Sequence, residues 1–149
     1  MKGSDILKNS ILFLCTGNSC RSQIAEGLAN NIFDYSYNIE SAGTEKHGVN
    51  PHAIKTLKEI GIDISNYKSK NINLDELNQF DLVITLCGDA KDKCPILDQS
   101  VKRIHWDLKD PAKFKGTKSE IISQFRNTRL LILNNIKELK INLEKGNLK

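Results

Sequence analysis

Two short stretches of this chain, Ile11-Leu12-Phe13-Leu14 and Leu82-Val83-Ile84-Thr85-Leu86, are apolar almost without interruption. A strand with one solvated face would alternate, so an unbroken run predicts a strand buried on both faces, as in a parallel sheet. Each run ends at a cysteine, Cys15 and Cys87. Between them the period changes. In residues 22–33, Ile24, Leu28 and Ile32 share one helical stripe. Residues 37–41 predict another strand ahead of the turn-rich Ala42-Gly43-Thr44. Asn50-Pro51 supplies an N-cap and first position for a helix over residues 53–60, and Gly61 closes it. Residues 101–105 form a weaker strand candidate. Thr117-Lys118-Ser119-Glu120 is a capping box opening a long helix. Its stripe runs Ile122, Phe125, Ile132, Leu133, Ile136, Leu139 and Leu143, and Gly146 lies past its end.

Strands alternating with helices predict an α/β fold: an open, twisted, mainly four-stranded parallel sheet with helices on both faces. No repeat, low-complexity tract or linker divides the chain, so residues 1–149 read as a single domain, with residues 1–9 and 147–149 frayed at its ends. In such sheets ligands bind beyond the carboxyl ends of the strands. That rule puts Cys15 and Cys87 on the functional rim.

Composition narrows the possibilities. The chain is 39% hydrophobic and 27% charged over 149 residues, which excludes wholesale disorder. No apolar run approaches the roughly 18 residues of a membrane span, and residues 1–8 have no apolar core of a secretory signal. The expectation is a cytoplasmic protein with no membrane contact, and a monomer by default. The net charge of +4 favours anionic partners. No basic stripe with interleaved aromatics appears, so nucleic acid is not expected as a partner. Four cysteines in a reducing compartment mean packing, metal ligation or chemistry.

Thr16, Gly17, Asn18, Ser19 and Cys20 lie between Cys15 and Arg21, and Ser22 then starts the helix. A strand–loop–helix of this kind aims successive backbone N–H groups into one concavity at the positive end of a helix dipole, which suits a tetrahedral oxyanion. Arg21 adds a planar fork for two of its oxygens. The same field favours a nucleophilic thiolate at Cys15, and Ser22 is positioned to donate a hydrogen bond to that sulfur.

The run Cys15-Thr16-Gly17-Asn18-Ser19-Cys20-Arg21-Ser22 resembles the phosphate-binding loop of low-molecular-weight protein tyrosine phosphatases. It is still more similar to the thioredoxin-coupled arsenate reductases built on that fold. The resemblance covers nearly the whole chain, including Ser41-Ala42-Gly43, residues 47–51, Asp63-Ile64-Ser65, Thr85-Leu86-Cys87, Cys94-Pro95-Ile96-Leu97, His105-Trp106 and Asp110-Pro111-Ala112. It implies a fold and a set of roles. Asp110, ahead of a proline, would protonate the departing oxygen, with Asp107 as a nearby rival. Cys15 would attack arsenate held by the loop and Arg21. Cys87 would then attack Cys15, releasing arsenite and leaving a Cys15–Cys87 disulfide. Cys94 would move the oxidation to a Cys87–Cys94 disulfide, which thioredoxin would reduce. Phosphate or sulfate would compete for the loop, and no tightly bound cofactor is implied.

If the segment between Cys87 and Cys94 is a helix, seven residues separate their Cα atoms by about 10 Å, whereas a disulfide needs less than about 7 Å. The segment must therefore unwind for the two to bond, which Gly88 and the surrounding polar run make cheap. A zinc site and two inert thiols are the competing readings, although the cysteine gaps suit zinc poorly. Cys20 could form a protective disulfide with the nucleophile or simply pack. Some reductases of this kind bind potassium beside the loop. Asn18, Glu26 and Ser41 match that pattern, but Lys68 and Lys70 stand where a hydroxyl and a carboxylate are expected. Either a lysine ammonium replaces the cation or the site is absent. The runner-up activity is a phosphatase using Cys15, Arg21 and Asp110, and a non-enzymatic alternative is an oxyanion-binding or thiol-sensing module. Ala112-Lys113-Phe114 after Asp110-Pro111 lacks the tyrosine pair of phosphotyrosine-selective members. His47, His52 and His105 read as loop or surface residues, and Trp106 as a packing anchor.

Overall fold

A computed structural model of the chain describes residues 9–94 and 97–146. Strands β1 (Asn9–Cys15), β2 (Tyr37–Gly43), β3 (Leu82–Thr85) and β4 (Lys102–His105) form one sheet in the order β2-β1-β3-β4. Every neighbouring pair is parallel. The helices are α1 (Arg21–Ile32), α2 (Pro51–Lys58), α3 (Gly88–Lys93) and α4 (Lys118–Lys145). The two unbroken apolar runs are the central strands. Leu12, Phe13, Leu14, Val83 and Ile84 have no exposed surface at all. The β4 strand, weakest in sequence, is an edge strand with Lys102 and Arg103 exposed, charges of the kind that discourage edge-to-edge pairing.

From β1 the chain crosses one way to β2 and later the other way from β3 to β4. Right-handed crossovers in opposite directions put α1 and α3 on opposite faces of the sheet. The reversal falls between β1 and β3, so a crevice opens at their carboxyl ends. There Leu14 pairs with Thr85, Cys15 pairs with Gly43, and the Leu86 amide donates to the Leu14 carbonyl at 2.9 Å. Cys15 and Cys87 therefore share one rim.

Residues 1–8 and 147–149, read as frayed, lie outside the described residues. Asn9, read as frayed with them, instead opens β1, because Tyr37 of β2 extends the ladder opposite it. The Thr117 capping box forms in full, and Gly146 ends α4 in the left-handed conformation at φ 69°. Phe125, Ile132, Ile136 and Leu139 are buried as the stripe predicts, whereas Ile122, Leu133 and Leu143 are only half-buried. Arg126 and Arg129 fork onto Glu59 beyond the end of α2, and their hydrogen bonds hold its carboxyl down to about 2. Two 3₁₀ turns, Leu74–Gln79 and Pro111–Lys113, are additions to the sequence reading. Trp106 packs on Phe13 with ring centroids 5.9 Å apart, the anchor role expected of it.

Candidate active site

The loop after β1 is shaped by where its carbonyls go. Those of Cys15, Thr16, Gly17 and Ser19 accept from the amides of Thr44, Glu45, His47 and Asn50 at 2.8–3.1 Å, and that of Cys20 accepts from Ile24 at 2.9 Å. A planar trans peptide points its N–H opposite its carbonyl. With no cis bond in the described chain, the amides of Thr16, Gly17, Asn18, Cys20 and Arg21 must turn the other way, into the concavity. Two glycines permit this packing. A Cβ on Gly43 would lie 2.5 Å from the Thr16 carbonyl oxygen, and one on Gly17 would lie 2.2 Å from Nδ1 of His47.

Asn18 pins the turn. It is fully buried in the left-handed region at φ 49°, which asparagine tolerates better than most residues. Its Nδ2 donates to Ser22 Oγ at 2.8 Å and to Ser41 Oγ at 2.9 Å. Ser22 Oγ thus accepts a hydrogen bond from Asn18, and its own O–H is free to turn to Cys15 Sγ, 2.8 Å away. The thiol expected to be the nucleophile is thus within hydrogen-bond distance of that hydroxyl.

The same network bears on the potassium pattern. Asn18 Oδ1 already accepts from Gln23 Nε2 at 3.0 Å and from the Lys70 amide at 2.8 Å. Ser41 donates to Glu26, whose carboxyl is pushed up chiefly by burial. The three matching residues are thus bound to one another and to the backbone, a poor fit to a cation. Neither lysine ammonium takes the cation's place: Lys70 Nζ pairs with Glu40 at 2.9 Å, and Lys68 is exposed. Among the described residues, no group of three or more histidine, cysteine or acidic side chains could hold a metal ion.

Arg21 and Asp110 close the site from the other side. Arg21 donates to the Leu108 carbonyl at 2.9 Å and lies 3.6 Å from Asp110. Asp110 caps the Pro111–Lys113 turn, accepting from the Ala112 amide at 3.0 Å, with Pro111 at the first position. A cavity of about 290 Å³ is lined by Cys15, Arg21 and Asp110 together with Thr16, Gly17 and Ser19. Asp107 is 94% exposed beside His105 and does not line it. Cys20 is buried, and desolvation, helped by the Asp110 charge 3.9 Å away, pushes its thiol up to about 12.

The second cysteine reaches the loop directly. Cys87 caps α3, its sulfur accepting from the Ala90 amide at 3.3 Å and lying 3.2 Å from the Thr16 hydroxyl. That hydroxyl also lies 3.1 Å from Asp89, to which it donates. The segment between the two later cysteines is the short helix α3, and Cys94 sits buried at its end. All four thiols are free. Of the motif Cys94-Pro95-Ile96-Leu97, Pro95 and Ile96 lie outside the described residues.

His52 and His105 differ from their reading as loop or surface residues, whereas His47 is an exposed loop residue as read. His47 lies on the rim of the Cys15 cavity, its ring against Gly17 and its Nε2 2.7 Å from Glu45. His52 lies in α2 with its ring 5.1 Å from that of Phe125, and His105 ends β4 with Nδ1 2.8 Å from the Thr85 hydroxyl. No sequence signal marked His47, because its contact with Gly17 joins two loops separated by a strand and a helix.

Comparison with known proteins agrees with this geometry. The sequence profile of the low molecular weight phosphotyrosine protein phosphatase family matches residues 10–148. Arsenate reductase of Bacillus subtilis is 53% identical over 133 residues, covering 89% of this chain and 96% of its own. The thioredoxin-dependent arsenate reductase of Corynebacterium glutamicum superposes with a TM-score of 0.66 at 26% identity, covering 88% of this chain and 63% of its own. The low molecular weight protein tyrosine phosphatase of T. tengcongensis superposes with a TM-score of 0.73 at 26% identity, covering 89% and 98%.

Proposed function

The chain belongs to the low molecular weight phosphotyrosine protein phosphatase family, and within it we propose that it is an arsenate reductase regenerated by thioredoxin. The observation that carries the reading is the contact between the Cys87 thiol and Thr16 of the anion loop, 3.2 Å apart. A phosphatase needs only the loop cysteine, the arginine and the acid. A second thiol seated on that loop has a purpose when the nucleophile must be resolved.

The steps follow from the arrangement. Arsenate is held by the loop amides of residues 16–21 and by Arg21, and phosphate or sulfate competes for them. The Cys15 thiolate attacks arsenic, and Asp110 protonates the departing oxygen, which leaves as water. Cys87 then attacks the Cys15 sulfur. The sulfur–arsenic electron pair goes to arsenic, which leaves as arsenite, and a Cys15–Cys87 disulfide forms. Cys94 attacks Cys87, frees the Cys15 thiolate and leaves a Cys87–Cys94 disulfide. Thioredoxin, a dithiol, reduces that bond and is oxidised in turn. The chain works in the cytoplasm as a monomer, with no bound cofactor. No described helix is long and apolar enough to cross a membrane.

The test is arsenate-dependent NADPH oxidation with thioredoxin and thioredoxin reductase, run beside hydrolysis of p-nitrophenyl phosphate. Steady arsenate turnover with slower ester hydrolysis is expected. Brisk ester hydrolysis without arsenate turnover would make the chain a phosphatase, the second reading that Cys15, Arg21 and Asp110 support. Exchanging sodium for potassium is expected to leave the rate unchanged, since Asn18 Oδ1 is already taken by two N–H donors.

A further inference from the structure

A second cavity lies away from the catalytic rim, in the crevice between α2 and α4. It holds about 300 Å³ and shares no lining residue with the cavity of Cys15. Its floor is apolar and comes from α4: Phe125 is buried and Ile122 half-buried. From α2, His52 lays its ring against Phe125, with centroids 5.1 Å and planes 32° apart. Lys55, Lys58 and Glu59 stand along the wall above. Lysine stems cover apolar surface while their ammonium groups stay in water, so these walls are greasy below and charged at the mouth.

What fits the crevice depends on which polar groups are left to meet a ligand. Glu59 is occupied: Arg126 holds its carboxylate at 2.7 and 3.0 Å and Arg129 at 2.8 Å. The carbonyl and hydroxyl of Thr56 accept from Arg129 at 2.7 and 3.3 Å. Lys55 and Lys58 are exposed, and neither is ion-paired among the described residues. Around the mouth, four cations thus face the one carboxylate that lines it. That field favours an anion, whereas the Phe125 and His52 rings favour an aromatic body. Cavities that take small ligands are mostly apolar, with a few polar groups to fix orientation, and run from about 300 to 1,000 Å³. This one stands at the small end, the size of one or two fused rings.

We propose that the α2–α4 crevice is a binding site for a small aromatic carboxylate, its rings on Phe125 and Ile122 and its charge toward Lys55 and Lys58. The chemistry differs from that of the anion loop, which presents amides and Arg21 to a bare oxyanion. The two sites are nevertheless joined through the start of α2. Asn50 accepts from the His52 amide at 2.8 Å, and its own amide donates to the Ser19 carbonyl of the loop at 2.9 Å.

The experiment titrates 2-naphthoate into the full chain and follows backbone amide chemical shifts, with inorganic phosphate present to occupy the anion loop. It needs no turnover, so it stands whether the chain reduces arsenate or hydrolyses esters. Shifts should centre on residues 52–59 and 122–126 and saturate with a Kd of about 0.1–1 mM. 2-Naphthalenemethanol, the same rings without the charge, should bind about tenfold more weakly. Lys55→Gln with Lys58→Gln should weaken 2-naphthoate about fivefold and leave the alcohol within about twofold, since only the charge at the mouth has changed. Both lysines are exposed, so that variant keeps the fold. Absence of saturable shifts in the crevice would overturn the proposal, as would equal affinity for acid and alcohol. Shifts confined to residues 15–21 would return the anion to the known loop. A dimer in sedimentation whose interface protects α2 and α4 would give the crevice to a second copy of the chain instead.

Discussion

The loop around Cys15 and the segment from Cys87 to Cys94 share one sheet edge but are held in opposite ways. In the loop, five carbonyls are tied outward, Asn18 is bonded through both ends of its amide, and two glycines leave no room for a methyl group. In the segment, a helix of six residues exposes Gly88, Asp89, Lys91 and Asp92. Only Ala90 and the flanking cysteines are buried beside them among the described side chains. The difference follows from the work each would do. Dipoles that bind an oxyanion act best when already in place, whereas two cysteines whose Cα atoms stand about 10 Å apart along a helix cannot bond until it opens. Few buried contacts make that opening cheap.

Replacing one cysteine in each region gives the largest and clearest break. Cys15→Ser removes the nucleophile from both reactions, and arsenate turnover and ester hydrolysis should each fall by roughly 10⁴ or more. Cys94→Ser should leave ester hydrolysis within about twofold of the parent. Arsenate reduction in that variant should stop after about one arsenite per enzyme, because the relay halts at its middle disulfide. Quenched-flow counting of arsenite separates the cases. Sustained turnover in Cys94→Ser, or a matching loss of ester hydrolysis, would dissolve the division between the two regions.

Asp110→Asn comes next. With the carboxyl lining the Cys15 cavity, its loss should lower kcat for p-nitrophenyl phosphate by about 10²- to 10⁴-fold. Asp107→Asn should change it by less than about twofold, since that carboxylate is 94% exposed and lines no part of the cavity. Equal losses would reassign the acid.

The two regions also differed in how far they could be read from sequence. Ile11–Leu14 and the run after it put Cys15 at a strand end and the helix start at Ser22 by local pattern alone, and the fold follows that pattern with the helix opening one residue earlier, at Arg21. Asp110-Pro111 carried a local signal too, an N-cap followed by proline, although the turn it opens went unread. So did the capping box of Asn73 and Glu76, which opens the Leu74–Gln79 turn. What sequence could not supply were contacts between distant loops: His47 on Gly17, the Lys70 amide on Asn18, and Asp89 on Thr16. These depend on which loops the sheet order brings to one edge, and no periodicity encodes that. Lys70, a candidate by sequence for the cation's place, shows the same limit. Its backbone, not its ammonium, meets Asn18.

A smaller effect sharpens the picture of the loop. Burial, helped by Asp110, pushes the Cys20 thiol from 9.0 up to about 12, so the folded state favours the protonated form. That contribution is complete below the unfolded value and is lost as pH rises through the folded one. Stability should therefore fall by about 1 kcal/mol per pH unit between about 9 and 12 from this group alone. Denaturant midpoints of the parent and Cys20→Ala across that range isolate it, and parallel curves would remove Cys20 as the cause.

The smallest change tests the movable region on its own terms. A Cβ on Gly88 would meet open space, and Gly88 is not among the glycines with positive φ. Gly88→Ala should therefore stiffen α3 by about 0.5–1 kcal/mol without disturbing its neighbours. If the helix must open before Cys94 reaches Cys87, that cost appears in the step joining them. Formation of the Cys87–Cys94 disulfide in a single turnover should slow by about two- to fivefold. Release of the first arsenite and alkylation of Cys15 should not change. Trapping thiols with a mass tag at successive times measures all three. An unslowed second disulfide would mean that α3 does not have to unwind, and the contrast between a fixed loop and a yielding helix would lose its mechanistic meaning.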